Sequence, residues 1–118
     1  MKELTKAEDQ VMQILWVLEK GFVKDIMEQM PEPKPAYNTI STIVRILETK
    51  GFIDHKAYGK THEYFPIISK ENYTKFYLNN LIKGYFNGSF NNLVSFFAKE
   101  NKLNASDMQK LIDELKNQ

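Results

Sequence analysis

The sequence predicts a mostly α-helical protein with one small β-hairpin. Three observations carry this. Apolar residues recur at three- and four-residue spacing over most of the chain. One pair of alternating segments, 52–57 and 61–66, meets at a glycine-containing turn, Tyr58-Gly59-Lys60. The elements follow the order helix, helix, helix, hairpin, and the chain then returns to helical periodicity from Ser69 onward.

Each element has its own local cause. Thr5 and Glu8 have the spacing of a capping box that opens the first helix. Val11, Ile14, Leu15 and Leu18 line one face of it, Met12 and Trp16 form an adjacent stripe, and Gly21 is the expected closure. A short second helix, 23–29, is anchored by Ile26, Met27 and Met30. Pro31, Pro33 and Pro35 then force an extended turn, because proline has no N–H to continue a helix. In the third helix, 37–49, Ile40, Ile43, Val44 and Leu47 share a face while Asn38, Ser41, Thr42, Arg45 and Thr49 fall elsewhere; Gly51 is its expected C-cap. Beyond the hairpin, Tyr73, Phe76, Tyr77, Asn80 and Leu81 mark a fourth helix, with Gly84 and Gly88 flanking a break. Phe90, Leu93, Val94 and Phe97 mark a fifth. Asn104 with Asp107 fits the cap of a last helix carrying Met108, Leu111, Ile112 and Leu115. The order of the first four elements is that of a winged helix-turn-helix. The expected organisation is a winged-helix DNA-binding domain over 1–68 and a three-helix dimerisation domain over 69–118.

Composition excludes several classes. With 118 residues the chain has room for one compact domain and a small appendage. It has no cysteine, so a disulfide scaffold, a thiolate metal site and a cysteine nucleophile are ruled out. No apolar run approaches the about 20 residues needed to cross a membrane, and no apolar segment follows the charged start, so a cytoplasmic protein without membrane insertion is expected. No Ser/His/Asp arrangement or phosphate-cradling glycine loop is present, so nothing argues for an enzyme, and no cofactor is expected. His55 and His62 either face each other across the hairpin or lie on one side of it. With no acidic cluster beside them in the sequence, a metal site is disfavoured.

The charge balance is informative only locally. Lys and Arg total 16 against 15 Asp and Glu, yet residues 34–62 carry net +3. That segment holds the third helix and the hairpin. A helix bearing short polar side chains and an arginine suits the major groove, whose base edges accept hydroxyl, amide and guanidinium partners. Asn38, Ser41, Thr42 and Arg45 are the candidates to face the groove, and Thr39 to anchor the helix start on phosphate. Lys50, Lys56, Tyr58 and Lys60 are the candidates for backbone contact. The alternative is a winged-helix module that contacts another protein and binds no operator.

The last 50 or so residues carry Tyr73, Phe76, Tyr77, Tyr85, Phe86, Phe90, Phe96 and Phe97. Short helices cannot easily bury so many rings within one small chain. A homodimer resting on Leu81, Phe90, Leu93, Phe97, Met108, Leu111 and Leu115 is therefore expected, with packing back onto the first domain as the alternative.

These residues resemble a known family. The segment 7–16, AEDQVMQILW, resembles the opening helix of the BlaI/MecI/CopY penicillinase repressors; TISTIV at 39–44 resembles their recognition helix, KGFIDHK at 50–56 their passage into the wing, and FNNLV at 90–94 the segment before their last helix. The likeness runs over nearly the whole chain and favours the BlaI/MecI branch. It implies a transcriptional repressor that binds dyad-symmetric operator DNA as a homodimer, controls β-lactamase or related resistance genes, and is released when a membrane sensor-protease pathway inactivates its C-terminal domain. Three departures stand out. The Asn-Phe bond cleaved in well-studied members aligns with Phe96-Phe97, which implies either altered cleavage specificity or a different signal. A common recognition-helix arginine is Ile46 here, with Arg45 one position earlier, so the contacted phosphate or base shifts. The cysteine cluster of the copper-responsive branch is absent, which disfavours copper sensing.

Overall fold

The computed structural model describes residues 1–100 together with Ser106, Lys110, Asp113 and Glu114. Its elements are α1 (Lys6–Leu18), α2 (Val23–Gln29), α3 (Tyr37–Thr49), β1 (Ile53–Tyr58), β2 (Thr61–Pro66), α4 (Lys70–Tyr85) and α5 (Phe90–Lys99). The expected class, mostly α with one two-stranded antiparallel hairpin, is what the chain adopts. It divides into two compact units, Met1–Thr74 and Lys75–Gln118.

In the first unit α1 opens on the capping box read from the sequence. The Thr5 hydroxyl accepts the Glu8 N–H at 3.2 Å, and the Glu8 carboxylate accepts the Thr5 N–H at 2.9 Å. The core is built from one face of each helix: Val11, Met12 and Leu15 of α1, Ile26 of α2, and Ile40, Val44 and Leu47 of α3, with Phe52 and Ile53 beneath them. Tyr73, in the first turn of α4, packs edge-on against Phe52 with ring centres 5.7 Å apart and lies 6.1 Å from Trp16. Its hydroxyl accepts the Leu4 N–H at 2.8 Å, while the Trp16 indole donates to the Ile68 carbonyl at 2.9 Å. The start of α4 is thereby fastened to α1 and to the passage into the hairpin.

Three local readings are corrected. Gly21 does not close α1. The C-cap is Glu19, at φ 70°, and Gly21 instead forms a two-way bridge to Tyr64 through N–H···O bonds of 2.9 and 2.8 Å. A third short strand-like segment thus borders the hairpin. The first strand begins at Ile53 rather than Phe52, because Phe52 turns the chain out of α3: its N–H donates to Leu47 and its carbonyl accepts from Ile67 and Ile68. Gly84 lies inside α4, and the break falls at Asn87 and Gly88, both with positive φ. Gly51 and Gly59 take the left-handed conformation at the end of α3 and at the hairpin tip, φ +83° and +64°.

In the second unit Ser89 caps α5 by accepting the Asn92 N–H at 3.2 Å, and Ile82 and Leu93 are buried. Ser106, Lys110, Asp113 and Glu114 are helical and exposed. The proposed Asn104–Asp107 cap and the stripe Met108, Leu111, Ile112 and Leu115 lie outside the described residues. No described helix is long and apolar enough to cross a membrane.

Candidate nucleic-acid interface

The apolar stripe of α3 dictates which side chains are left outside. Burying Ile40, Val44 and Leu47 leaves Asn38, Thr39, Thr42 and Arg45 exposed and Ser41 half-buried. Two of the hydroxyls fold back on the helix: Thr42 donates to the Asn38 carbonyl at 2.9 Å, and Thr49 to the Arg45 carbonyl at 3.0 Å. Arg45 donates to the Ser41 hydroxyl at 3.1 Å, one helical turn away, which holds its guanidinium along the exposed face.

The hairpin completes a groove beside this face. Ladder pairs run from Ile53↔Pro66 to Tyr58↔Thr61, so Gly59 and Lys60 alone form the tip. Asn38, Ser41 and Arg45 of α3 line one side of a cavity of about 250 Å³; Lys60, Thr61, His62 and Tyr64 line another, and residues 22–24 at the start of α2 close it. Lys24, Arg45 and Lys60 are its cations, and among the described residues none that lines it is acidic. Burial, followed by the nearby Glu48 carboxylate, raises the Tyr64 phenol above its usual range, an effect that Arg45 partly opposes. Thr39, Thr42, Lys56 and Tyr58 are exposed but do not line this groove. Lys56 sits over the Tyr58 ring, 5.3 Å from its centre, and the Phe22 ring lies 6.0 Å from the same ring.

The basic segment read from the sequence is not all available for contact. Lys50 places its ammonium on both oxygens of buried Glu8, 2.8 Å from each. Lys34 donates to the Met27, Glu28 and Met30 carbonyls at 2.9–3.3 Å and so caps the end of α2. Arg45, Lys56 and Lys60 remain exposed.

The histidines lie on one side of the hairpin. His55 pairs with Tyr64 and Ala57 with His62, which puts His55 and His62 on the same face, diagonally adjacent. Their rings stack at 4.1 Å with an interplanar angle of 6°. His55 Nδ1 is hydrogen-bonded to the Glu48 carboxylate of α3. Folding therefore brings a second carboxylate, Glu48, to His55 and its chain neighbour Asp54: Glu48, Asp54 and His55 offer atoms within 4.8 Å of one another. In this arrangement Glu48 is bonded to the His55 ring, and Asp54 accepts the His55 N–H at 2.8 Å. Sequence reasoning missed Tyr37, Lys24 and Tyr64 as groove residues. Lys24 precedes α3 by a whole helix and no local pattern connects them, whereas Tyr64 was discoverable as an inward position of β2.

A family model described as penicillinase repressor matches residues 4–117. The chain belongs to the penicillinase repressor family. Against the methicillin resistance regulatory protein MecI of Staphylococcus aureus (strain N315) it is 29% identical over 110 residues, covering 92% of this chain and 89% of that protein. Against the penicillinase repressor of Bacillus licheniformis it is 22% identical over 110 residues, covering 92% and 86%. The solution structure of the DNA-binding domain of the repressor BlaI superposes with a TM-score of 0.53 at 25% identity, over 62% of this chain and 94% of that domain. The first unit of this repressor is accordingly a winged helix, with α3 in the place of the second helix of a helix-turn-helix and the hairpin as its wing.

The second unit carries an apolar groove of its own, of about 710 Å³. It is lined by Tyr77, Leu78, Leu81, Tyr85, Phe86, Leu93, Phe96 and Phe97. Of the expected dimer residues among those described, Leu81, Leu93 and Phe97 line this groove and Phe90 does not. Phe96 is half-exposed, with its ring 5.8 Å from both Phe86 and Phe97. The Phe96-Phe97 bond lies inside α5.

Proposed function

We propose that this chain represses transcription by binding dyad-symmetric operator DNA as a homodimer. The observation that carries the reading is the groove lined by both Arg45 of α3 and Lys60 of the wing beside Asn38 and Ser41, with no acidic residue in its lining among the described residues. A helix of this composition reads base edges in the major groove while the wing lysine meets a phosphate. Thr39 anchors the helix start, Thr42 lies on the reading face, and Lys56 and Tyr58 support the wing. Lys50 serves the fold through Glu8 rather than the DNA.

The relatives carry the names of penicillinase and methicillin-resistance regulators. On that basis the regulated genes are β-lactamase or related resistance genes. The exposed apolar groove of the second unit is the dimer face, and two weak half-site contacts are coupled through it. Release follows when that unit is inactivated, with a membrane sensor-protease pathway as the partner and Phe96-Phe97 as the candidate bond. Footprinting on the DNA upstream of the chain's own gene tests the central statement. A protected, two-fold-symmetric site is expected; absence of any protected site at low salt would leave a protein-contact module as the better reading.

A further inference from the structure

His62 has no part in the reading above, yet it lines the same groove as Arg45 and Lys60. The charged and titratable groups around it come from every neighbouring element. From α3 there are Arg45 and Tyr37, with Glu48 behind His55; from α2 there is Lys24. From the hairpin there are His55, with Asp54 beside it, and Lys60 and Tyr64. Glu63 pairs with Lys56 across the ladder, and alternation along β2 directs it to the opposite face. Among the described residues, the carboxylate bonded to the stacked imidazoles is that of Glu48, and it binds the His55 ring. His62 therefore shares its groove with Lys24, Arg45 and Lys60, and its ring lies flat on an imidazole that is bonded to a carboxylate.

A phosphate laid in the groove would bring an anion beside His62, and a nearby anion favours the imidazolium. We propose that His62 is a DNA-phosphate contact that takes up a proton when the repressor binds DNA, so that operator affinity rises as pH falls through the histidine range. The proton comes from solvent, the neutral imidazole becomes an imidazolium, and no other bond changes. The Glu48–His55 pair acts as a positioning support: it ties the end of α3 to β1 and presents the ring on which His62 rests. The inference rests on the DNA-binding reading and adds to it a further phosphate contact and a pH dependence.

The chain has only two histidines, so the linkage can be assigned residue by residue. Binding of the full-length protein to the duplex upstream of its own gene is measured at fixed salt from about pH 8 to about pH 6, a range that spans the usual imidazole value near 6.5. The dissociation constant is expected to fall with pH, by at most about tenfold per unit for each proton taken up. His62→Gln should flatten that dependence, so that its deficit against the unmodified protein grows as pH falls from about 8 to about 6. His55→Phe, which keeps a ring under His62, should retain it. The imidazole proton resonances give a second readout: on adding DNA near neutral pH, the His62 signal should move to its protonated position.

Binding that is tight but equally pH-independent in the unmodified protein and in His62→Gln would overturn the proposal while leaving the DNA-binding reading intact. A slope that survives His62→Gln and disappears in His55→Phe would also overturn it. Failure to bind the duplex at any pH would instead remove the DNA-binding reading, and this proposal with it.

Discussion

Lys50 holds both carboxylate oxygens of Glu8, each at 2.8 Å, across 42 residues of chain. The pair ties the first turn of α1 to the end of α3. Glu8 also closes the Thr5 capping box, so one buried carboxylate fixes both the start of a helix and its docking. Burial pushes this carboxyl up, but the Lys50 hydrogen bond and charge and the Thr5 bonds outweigh it and hold it below the ordinary value of 4.5.

Lys50→Met keeps the aliphatic stem and removes the charge, leaving Glu8 buried without its cation. Stability at neutral pH should fall by about 1–3 kcal/mol. Because the folded Glu8 is lowered, its contribution is complete above about 4.5 and is lost as pH drops through the folded value. Urea unfolding at neutral pH and near pH 3 should therefore show the variant's deficit shrinking in acid. A deficit of equal size at both pH values would mean that the ion pair is not its source.

Two glycines should answer the same substitution with opposite signs. Gly51 has φ +83°, and nothing lies within 4 Å of the position a Cβ would take. Gly51→Ala therefore costs only backbone strain, about 1–2 kcal/mol. Gly84 lies inside α4 with equally open space around it. Gly84→Ala should stabilise by about 1 kcal/mol through helix propensity and a less flexible unfolded chain. Thermal melts of the two variants give the comparison directly.

These residues also mark what was legible in the sequence. The Thr5–Glu8 spacing gave the first helix start, and the Ile40, Val44 and Leu47 stripe gave the orientation of α3, because both depend on contacts within one turn. What could not be read was long-range partnership. Lys50 and Lys34 counted as free charge until folding placed them on Glu8 and on the end of α2. Gly21 has the composition of a helix stop but is used as a bridge to Tyr64, 43 positions onward, which no local rule anticipates. The groove was half legible: Asn38, Ser41, Arg45 and Lys60 came from element type and charge. Lys24 and Tyr37 entered only through packing.

Arg45 and Lys60 should fail differently. Arg45 is held along α3 by Ser41 and faces the groove, where a base-edge contact distinguishes sequences by about 1–3 kcal/mol. Arg45→Ala should lose most on the matched operator and blur sequence preference. Lys60 stands exposed at the wing tip, where the proposed reading has it meet a phosphate. Lys60→Ala should weaken matched and scrambled DNA alike and reduce the salt slope by about one. Gel shifts over several salt concentrations separate the two patterns, and identical losses from both variants on both DNAs would contradict the division of labour.

The apolar groove of the second unit predicts how affinity depends on assembly. Phe97→Asp places a charge among Tyr77, Leu81, Phe86 and Phe96. Leaving a carboxylate desolvated and unpaired at an interface is costly enough to dissociate it. Tyr85→Lys offers a milder change, since Tyr85 lines the groove while remaining 79% exposed, so folding of the unit does not depend on it. Sedimentation should show both variants shifted toward monomer. Linking two half-sites multiplies affinity by about 10²–10⁴ without new contacts, so matched-operator binding should fall by a comparable factor while nonspecific binding by each winged helix persists. An unmodified protein that sediments as a monomer would remove the proposed dimer, and variants that stay dimeric alongside a dimeric unmodified protein would place the interface elsewhere on the chain.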